Sequence, residues 1–132
     1  FGSQSIVVSI DVEKTFFKEK IVRTNNKSKN KVRSVVEFAK LVEEKGCGEI
    51  LLNTTYEDGM RNGYDLELVN IIASNTSVPL ICCGGAGEIE HFQEALKSGA
   101  SAVAAGSKFV LHGKHRAVLI TYLTNKEIEI LN

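Results

Sequence analysis

Asp11 closes the run Val7-Val8-Ser9-Ile10, a position at which strand propensity gives no reason for a carboxylate. At the end of a buried strand such a group can serve as general acid or base in a polar mouth; in a purely structural role it would cap a turn or pair with a lysine. Two further clusters could hold an anion. Cys83-Gly84-Gly85-Ala86-Gly87 and Gly106-Ser107 each close an apolar run, so their unencumbered backbone N–H groups are free to gather around a phosphate without any net positive charge. Glycines of this kind also make plain tight turns. Asp58-Gly59 is a fourth polar position of the same sort.

These groups need elements to position them. The runs Ser5 to Ile10, Glu49 to Leu52, Pro79 to Cys83 and Ala102 to Gly106 are short and nearly continuously apolar, as parallel strands buried on both faces require. Between them Val32, Val35, Val36, Ala39 and Val42 step at helical spacing, as do Ile89, Phe92, Ala95 and Leu96. Leu66 to Ala73 and Ala117 to Leu123 supply two more helices, and Gly46 and Gly99 stand where the first and third should end. The alternation predicts an α/β chain of βα units. In a (β/α)8 barrel, functional groups sit at the C-terminal strand ends and a shared phosphate site follows strands seven and eight. Glycine-rich ends on the last two strands therefore number these strands five to eight. Residues 1–132 read as the C-terminal half of a phosphate-binding TIM barrel.

Such a half leaves one side of its sheet and both edges uncovered, an association hazard. Either the missing half or a second copy, as a half-barrel homodimer, is expected to cover them. The chain opens on Phe1 rather than a methionine and reads as a piece of a longer protein. The segment at about 12–31 departs from the pattern. It is polar and basic, with Thr15-Phe16-Phe17 and Lys20-Ile21-Val22-Arg23 around Lys18-Glu19, and predicts a hairpin and loop after the first strand. Such an excursion is either a solvated surface or an active-site lid or partner surface.

Composition narrows the possible functions. Sixteen basic and sixteen acidic residues cancel, which removes the electrostatic footprint of sequence-independent nucleic-acid or anionic-membrane binding. No apolar run approaches the roughly 20 residues of a membrane helix, and the first residues have no signal-peptide pattern, so a cytoplasmic location is the default. Cys47, Cys82 and Cys83 suit neither a disulfide framework nor a zinc site and are expected to be reduced and buried. His91 is expected on the surface of the third helix, and His112 and His115 lack further convergent ligands. No metal and no cofactor is expected.

The segment Gly48-Glu49-Ile50-Leu51-Leu52, then Glu57-Asp58-Gly59, Asn62-Gly63-Tyr64-Asp65-Leu66-Glu67-Leu68, Gly84-Gly85-Ala86-Gly87 and Glu90-His91-Phe92 resembles the cyclase subunit of imidazole glycerol phosphate synthase. Gly2-Ser3-Gln4 and Ser9-Ile10-Asp11 resemble that family's fifth strand, so the likeness covers nearly the whole chain and the second half of the family's barrel. The resemblance implies a lyase of histidine biosynthesis. Ammonia from a glutaminase subunit travels through the barrel and reacts with a bis-phosphorylated ribotide, giving imidazole glycerol phosphate and an aminoimidazole carboxamide ribotide. It implies that Asp11 is one of two catalytic aspartates, that Asp58 supports it, and that Gly59, Gly84, Gly85, Gly106 and Ser107 form one phosphate cradle. The other aspartate and the second cradle would belong to the first half, so the chain alone is expected to be inactive.

The chain also departs from that pattern. Tyr56, Glu57 and Met60 stand where the family has an aspartate, an arginine and a threonine, and Asn25-Asn26-Lys27-Ser28 replaces a glycine-bearing loop. The tail His112-Gly113-Lys114-His115-Arg116-Ala117-Val118-Leu119-Ile120 is similar to a cyclase-like class of surface-polysaccharide and flagellin-glycan pathways. There the implied role is supplying ammonia to a sugar amidotransferase. A catalytically inactive phosphate-binding half-barrel is the third alternative.

Overall fold

The computed structural model describes residues 2–23 and 34–131. The elements run β1 (Val7–Lys14), β2 (Lys20–Val22), α1 (Val35–Glu44), β3 (Glu49–Thr54), α2 (Leu66–Asn75), β4 (Leu80–Cys83), α3 (Ile89–Lys97) and β5 (Ala102–Ala104). After them come α4 (Ser107–Val110), the hairpin β6 (Leu111–His112) and β7 (Ala117–Val118), and α5 (Asn125–Leu131).

The main sheet has the order β2-β1-β3-β4-β5; its last four strands are parallel neighbours in chain order, and β2 lies antiparallel on β1. Sequential parallel strands with right-handed crossovers put their helices on one face. Burial follows that rule. Ile10 and Val12 of β1, Ile50 and Leu52 of β3, and Leu80 and Cys82 of β4 are each no more than 2% exposed. They pack with Val35 and Ala39 of α1, Leu68, Val69 and Ile72 of α2, and Phe92 and Ala95 of α3. The alternate residues point the other way, where Val7, Ser9 and Ala102 are exposed and Leu51 and Ile81 half-buried. The sheet is open, half of a TIM barrel that does not close on itself.

Local chemistry fixes where the helices start. Ser34 Oγ accepts the Glu37 N–H at 3.2 Å, and Asp65 Oδ1 accepts the Leu68 N–H at 3.0 Å, each satisfying an orphan donor of a first turn. Gly46 and Gly99 end α1 and α3 with φ of +87° and +108°, the left-handed turn expected of them. Val32 and the loop from Asn25 to Lys31 lie outside the described residues.

The expected helix over Ala117 to Leu123 is not formed. Val118, Ile120, Thr121 and Tyr122 are β-branched or aromatic, and the turn before them uses left-handed Gly113 (φ +70°) and Arg116 (φ +50°) to fold the chain back. Leu111 pairs with Val118, and the pairing continues through Leu119 N–H to Val110 O and Thr121 N–H to Phe109 O. The helix comes later, at α5. There Thr124 and Glu127 cap one another, Glu127 N–H donating to Thr124 Oγ1 at 3.3 Å and Thr124 N–H to Glu127 Oε2 at 2.8 Å.

Candidate active site at the strand ends

Sheet register assembles the centre of the site. Asp11 pairs with Asn53, Asn53 with Cys83 and Cys83 with Ala104, so one residue from each parallel strand forms a row across the C-terminal end of the sheet. The row lies on the face away from the helices, because Ile10 and Val12, on either side of Asp11, are in the core. Asp11 is half-buried, and the Asn53 amide donates to its Oδ1 at 3.0 Å. This bond fixes the carboxylate's orientation, and Oδ2 has no hydrogen-bond partner among the described residues.

The two glycine turns begin one and two residues beyond that row. Gly84 (φ +95°) and Gly85 (φ +105°) are buried in conformations that L side chains rarely adopt. A Cβ on Gly84 would meet Thr54 O at 2.6 Å, and one on Gly85 would meet Gly63 O at 2.1 Å. Thr54 Oγ1 donates toward the Cys83 and Gly84 carbonyls, and Gly63 N–H donates to Gly85 O at 2.9 Å. The loop after β4 is thereby clamped to the loop after β3. Gly106, with open space around its Cα, precedes α4, and Ser107 is its first residue. The Tyr64 hydroxyl donates to Ala104 O at 2.9 Å, tying the end of β5 to the same assembly.

Asp58 is exposed and Gly59 takes φ of +74° in the loop after β3. Burial raises the Cys83 thiol above its ordinary pKa, with the Asp58 and then the Asp11 charge adding to the effect, so the two carboxylates share one neighbourhood. The same cause, burial, takes the Cys82 thiol to about 12, which makes it packing rather than a nucleophile. Cys47 and Cys82 are buried as expected, whereas Cys83 is half-buried in the row.

Two groups were not legible as parts of this end of the molecule. Asp65 caps α2 and also receives the Lys20 ammonium at 2.8 Å and the Tyr56 hydroxyl. Burial opposes the charge on Asp65, but the bonds from Lys20, Tyr56 and Leu68 outweigh it and hold the carboxyl below its ordinary 3.8. Lys14 stands 4.0 Å over the Tyr56 ring and 3.5 Å from Glu57. The β1–β2 hairpin is thus fastened to the loop after β3. His91 is not a free surface residue either: its Nδ1 accepts the Gly87 N–H at 3.1 Å and the Glu88 N–H at 3.3 Å, so it anchors the glycine turn from the start of α3. Among the described residues, no group of three or more His, Cys, Asp or Glu is placed to hold a metal ion. No helix among them is long and apolar enough to cross a membrane.

Parallel strands with helices on one face, and a carboxylate and glycine turns toward their C-terminal ends, define the class of protein: a TIM-barrel segment whose candidate site residues lie where such barrels carry functional groups. The chain belongs to the family described as histidine biosynthesis protein, whose model matches residues 1–116. A Pseudomonas aeruginosa PAO1 protein, provisionally named imidazole glycerol phosphate synthase subunit hisF2, is 48% identical over 98% of this chain and 52% of its own length. The imidazole glycerol phosphate synthase subunit HisF of Sulfurisphaera tokodaii is 44% identical over 80% of this chain and 42% of its own length. That of Saccharolobus solfataricus is 42% identical over 98% and 52%. The chain spans about half the length of these relatives or less.

Proposed function

We propose that this chain forms strands five to eight of the cyclase subunit of an imidazole glycerol phosphate synthase. The observation that carries the reading is the row Asp11–Asn53–Cys83–Ala104, with Asp11 oriented by Asn53 beside a loop whose glycines cannot be replaced without collision. In this reading Asp11 moves a proton on the substrate through Oδ2, and Asp58 supports it from the neighbouring loop. Gly59, Gly84, Gly85, Gly106 and Ser107 hold one phosphate of a bis-phosphorylated ribotide through backbone N–H groups and the Ser107 hydroxyl. The second carboxylate and second cradle come from the other half of the barrel, and ammonia comes from a glutaminase subunit in the cytoplasm. A turnover assay of the full-length protein with ammonia as nitrogen donor tests this. Formation of imidazole glycerol phosphate is expected; its absence, with the protein folded, would exclude the reading.

A second reading is favoured by the loop after β3. Tyr56 and Glu57 replace an aspartate and an arginine of the family pattern and are engaged with Asp65 and Lys14 rather than turned to the row. A cyclase-like protein supplying ammonia to a sugar amidotransferase fits that change. Complementation of a histidine auxotroph by the full-length gene separates the two, since growth is expected for the first and not for the second. Without its other half, the chain is expected to dimerise through its open face and to lack turnover; a monomeric mass by light scattering at micromolar concentration would contradict the dimer.

A further inference from the structure

We propose that Arg61 is a positioning residue, a strut that sets the distance between the two arms of the phosphate cradle and through it the affinity for phosphate. The inference rests on the cradle assignment made above and adds to it a residue outside the cradle set.

Arg61 lies two residues beyond Gly59, in the loop after β3, with φ of +63°, a conformation uncommon outside glycine. From there its guanidinium reaches two other segments. Nη2 donates to Gly87 O at 3.2 Å and pairs with Glu88 Oε1 at 3.5 Å, at the end of the Gly84–Gly87 turn. Nη1 donates to Leu111 O at 3.3 Å, just past the helix that starts at Ser107. One planar group therefore joins the loop that carries Gly59 to the end of the Gly84–Gly87 turn and to the C-terminal end of α4, the helix that Gly106-Ser107 opens. The backbones are in close approach as well, because a Cβ on Gly87 would meet both Arg61 O and Arg61 Cβ at 2.7 Å. The side chain is 21% exposed, and Glu88 also lies 3.9 Å from Lys108, which reaches Glu127 at 3.7 Å. These groups wall a cavity of about 530 Å³.

The chemistry separates a strut from a phosphate ligand. The Arg61 charge is met by Glu88, so its contribution is geometric. A fork of five donors can bond two carbonyls and a carboxylate together, which a lysine ammonium on a flexible stem does not reproduce. Truncation would free the loop after β4 to move relative to α4, and the N–H groups of the cradle would no longer converge.

Titration of the full-length protein with inorganic phosphate reads this directly. In Arg61→Ala one phosphate site is expected to weaken by about ten- to a hundredfold, as the loss of charge-assisted bonds implies. A site in the other half-barrel keeps its affinity as an internal reference. Arg61→Lys, which keeps the charge, is expected to weaken the same site, and Gly87→Ala, which displaces Arg61 without removing it, likewise. Guanidinium ion added to Arg61→Ala is expected to restore part of the affinity. Wild-type phosphate affinity in both Arg61→Lys and Gly87→Ala would overturn the strut and leave the cradle standing. Absence of phosphate binding in the unsubstituted protein would overturn the cradle, and the strut with it.

Discussion

The two faces of the central sheet are built from the same strands and do opposite work. Toward the helices, Ile10, Val12, Ile50, Leu52, Leu80 and Cys82 form a hydrocarbon layer no more than 2% exposed. One residue along in each strand, the other face carries Asp11, Asn53 and Cys83 at its C-terminal end and exposed Val7 and Ser9 lower down. Period-two geometry is what allows this, since a strand can bury one set of side chains for stability and present the other set for chemistry. Activity and stability should therefore separate residue by residue along a single strand.

The largest expected effect is on the open face. On the proposed reading, in which Asp11 moves a proton, Asp11→Asn is expected to lower turnover of the full-length protein by about 10²- to 10⁴-fold while leaving its melting temperature near that of the parent, because the substitution keeps the size of the side chain. A large loss of stability together with activity would break the division between faces. Leu52→Ala, one residue before Asn53, is the mirror test. Emptying this site should cost about 2–5 kcal/mol in denaturant unfolding, with turnover of the remaining folded protein largely kept. If turnover fell as far as for Asp11→Asn, the two faces would have to be regarded as one coupled unit.

The smallest effect sharpens the comparison at its border, where Lys20, Tyr56 and Asp65 fasten the hairpin to α2. Asp65 is held below its ordinary 3.8, so its contribution is complete above that pH and is lost as pH falls through the folded value. Lys20 opposes burial through its bonds to Asp65 and Glu67 and is held above its ordinary 10.5, so its contribution is complete below that pH and is lost as pH rises through the folded value. The tie is thus intact between about pH 4 and pH 10. Asp65→Ala, which also removes the α2 cap, is expected to cost about 1–2 kcal/mol near neutrality and to flatten the acid limb of the stability profile. An unchanged acid limb would remove Asp65 from the account.

The helix-covered face was readable from the sequence because its signals are local and repeated. The steps at Val35, Val36, Ala39 and Val42 and at Ile89, Phe92 and Ala95 place α1 and α3, and the strand runs place the sheet, although β1 extends to Lys14 where the apolar run stops at Ile10. The glycine turns were readable for the same reason, but Asp11 was readable only as the end of the apolar run: it lies inside β1, three residues before Lys14, level with Asn53 near the end of β3. The ties between loops were not. Lys20 and Asp65 are 45 residues apart, Asp11 and Asn53 are 42 apart, and Arg61 and Leu111 are 50 apart, so no spacing rule joins them. Ala117 to Leu123 misled because Ala117, Ile120 and Leu123 fall at helical spacing, whereas its composition favours extended chain and Thr124-x-x-Glu127 marks the true start.

The antiparallel strand β2 has a consequence for how the sheet can grow. It pairs with β1 from Val12 to Lys14, and Arg23 N–H takes Asp11 O at 2.8 Å, so the upper part of that edge is occupied. Below it, Val7 to Ile10 have no strand partner on that side among the described residues. An arriving strand can zip along this lower stretch and must halt beneath the hairpin. The hairpin thus works as a register stop: it limits how far an adjoining strand can slide, and so helps to set the stagger with which a barrel would close.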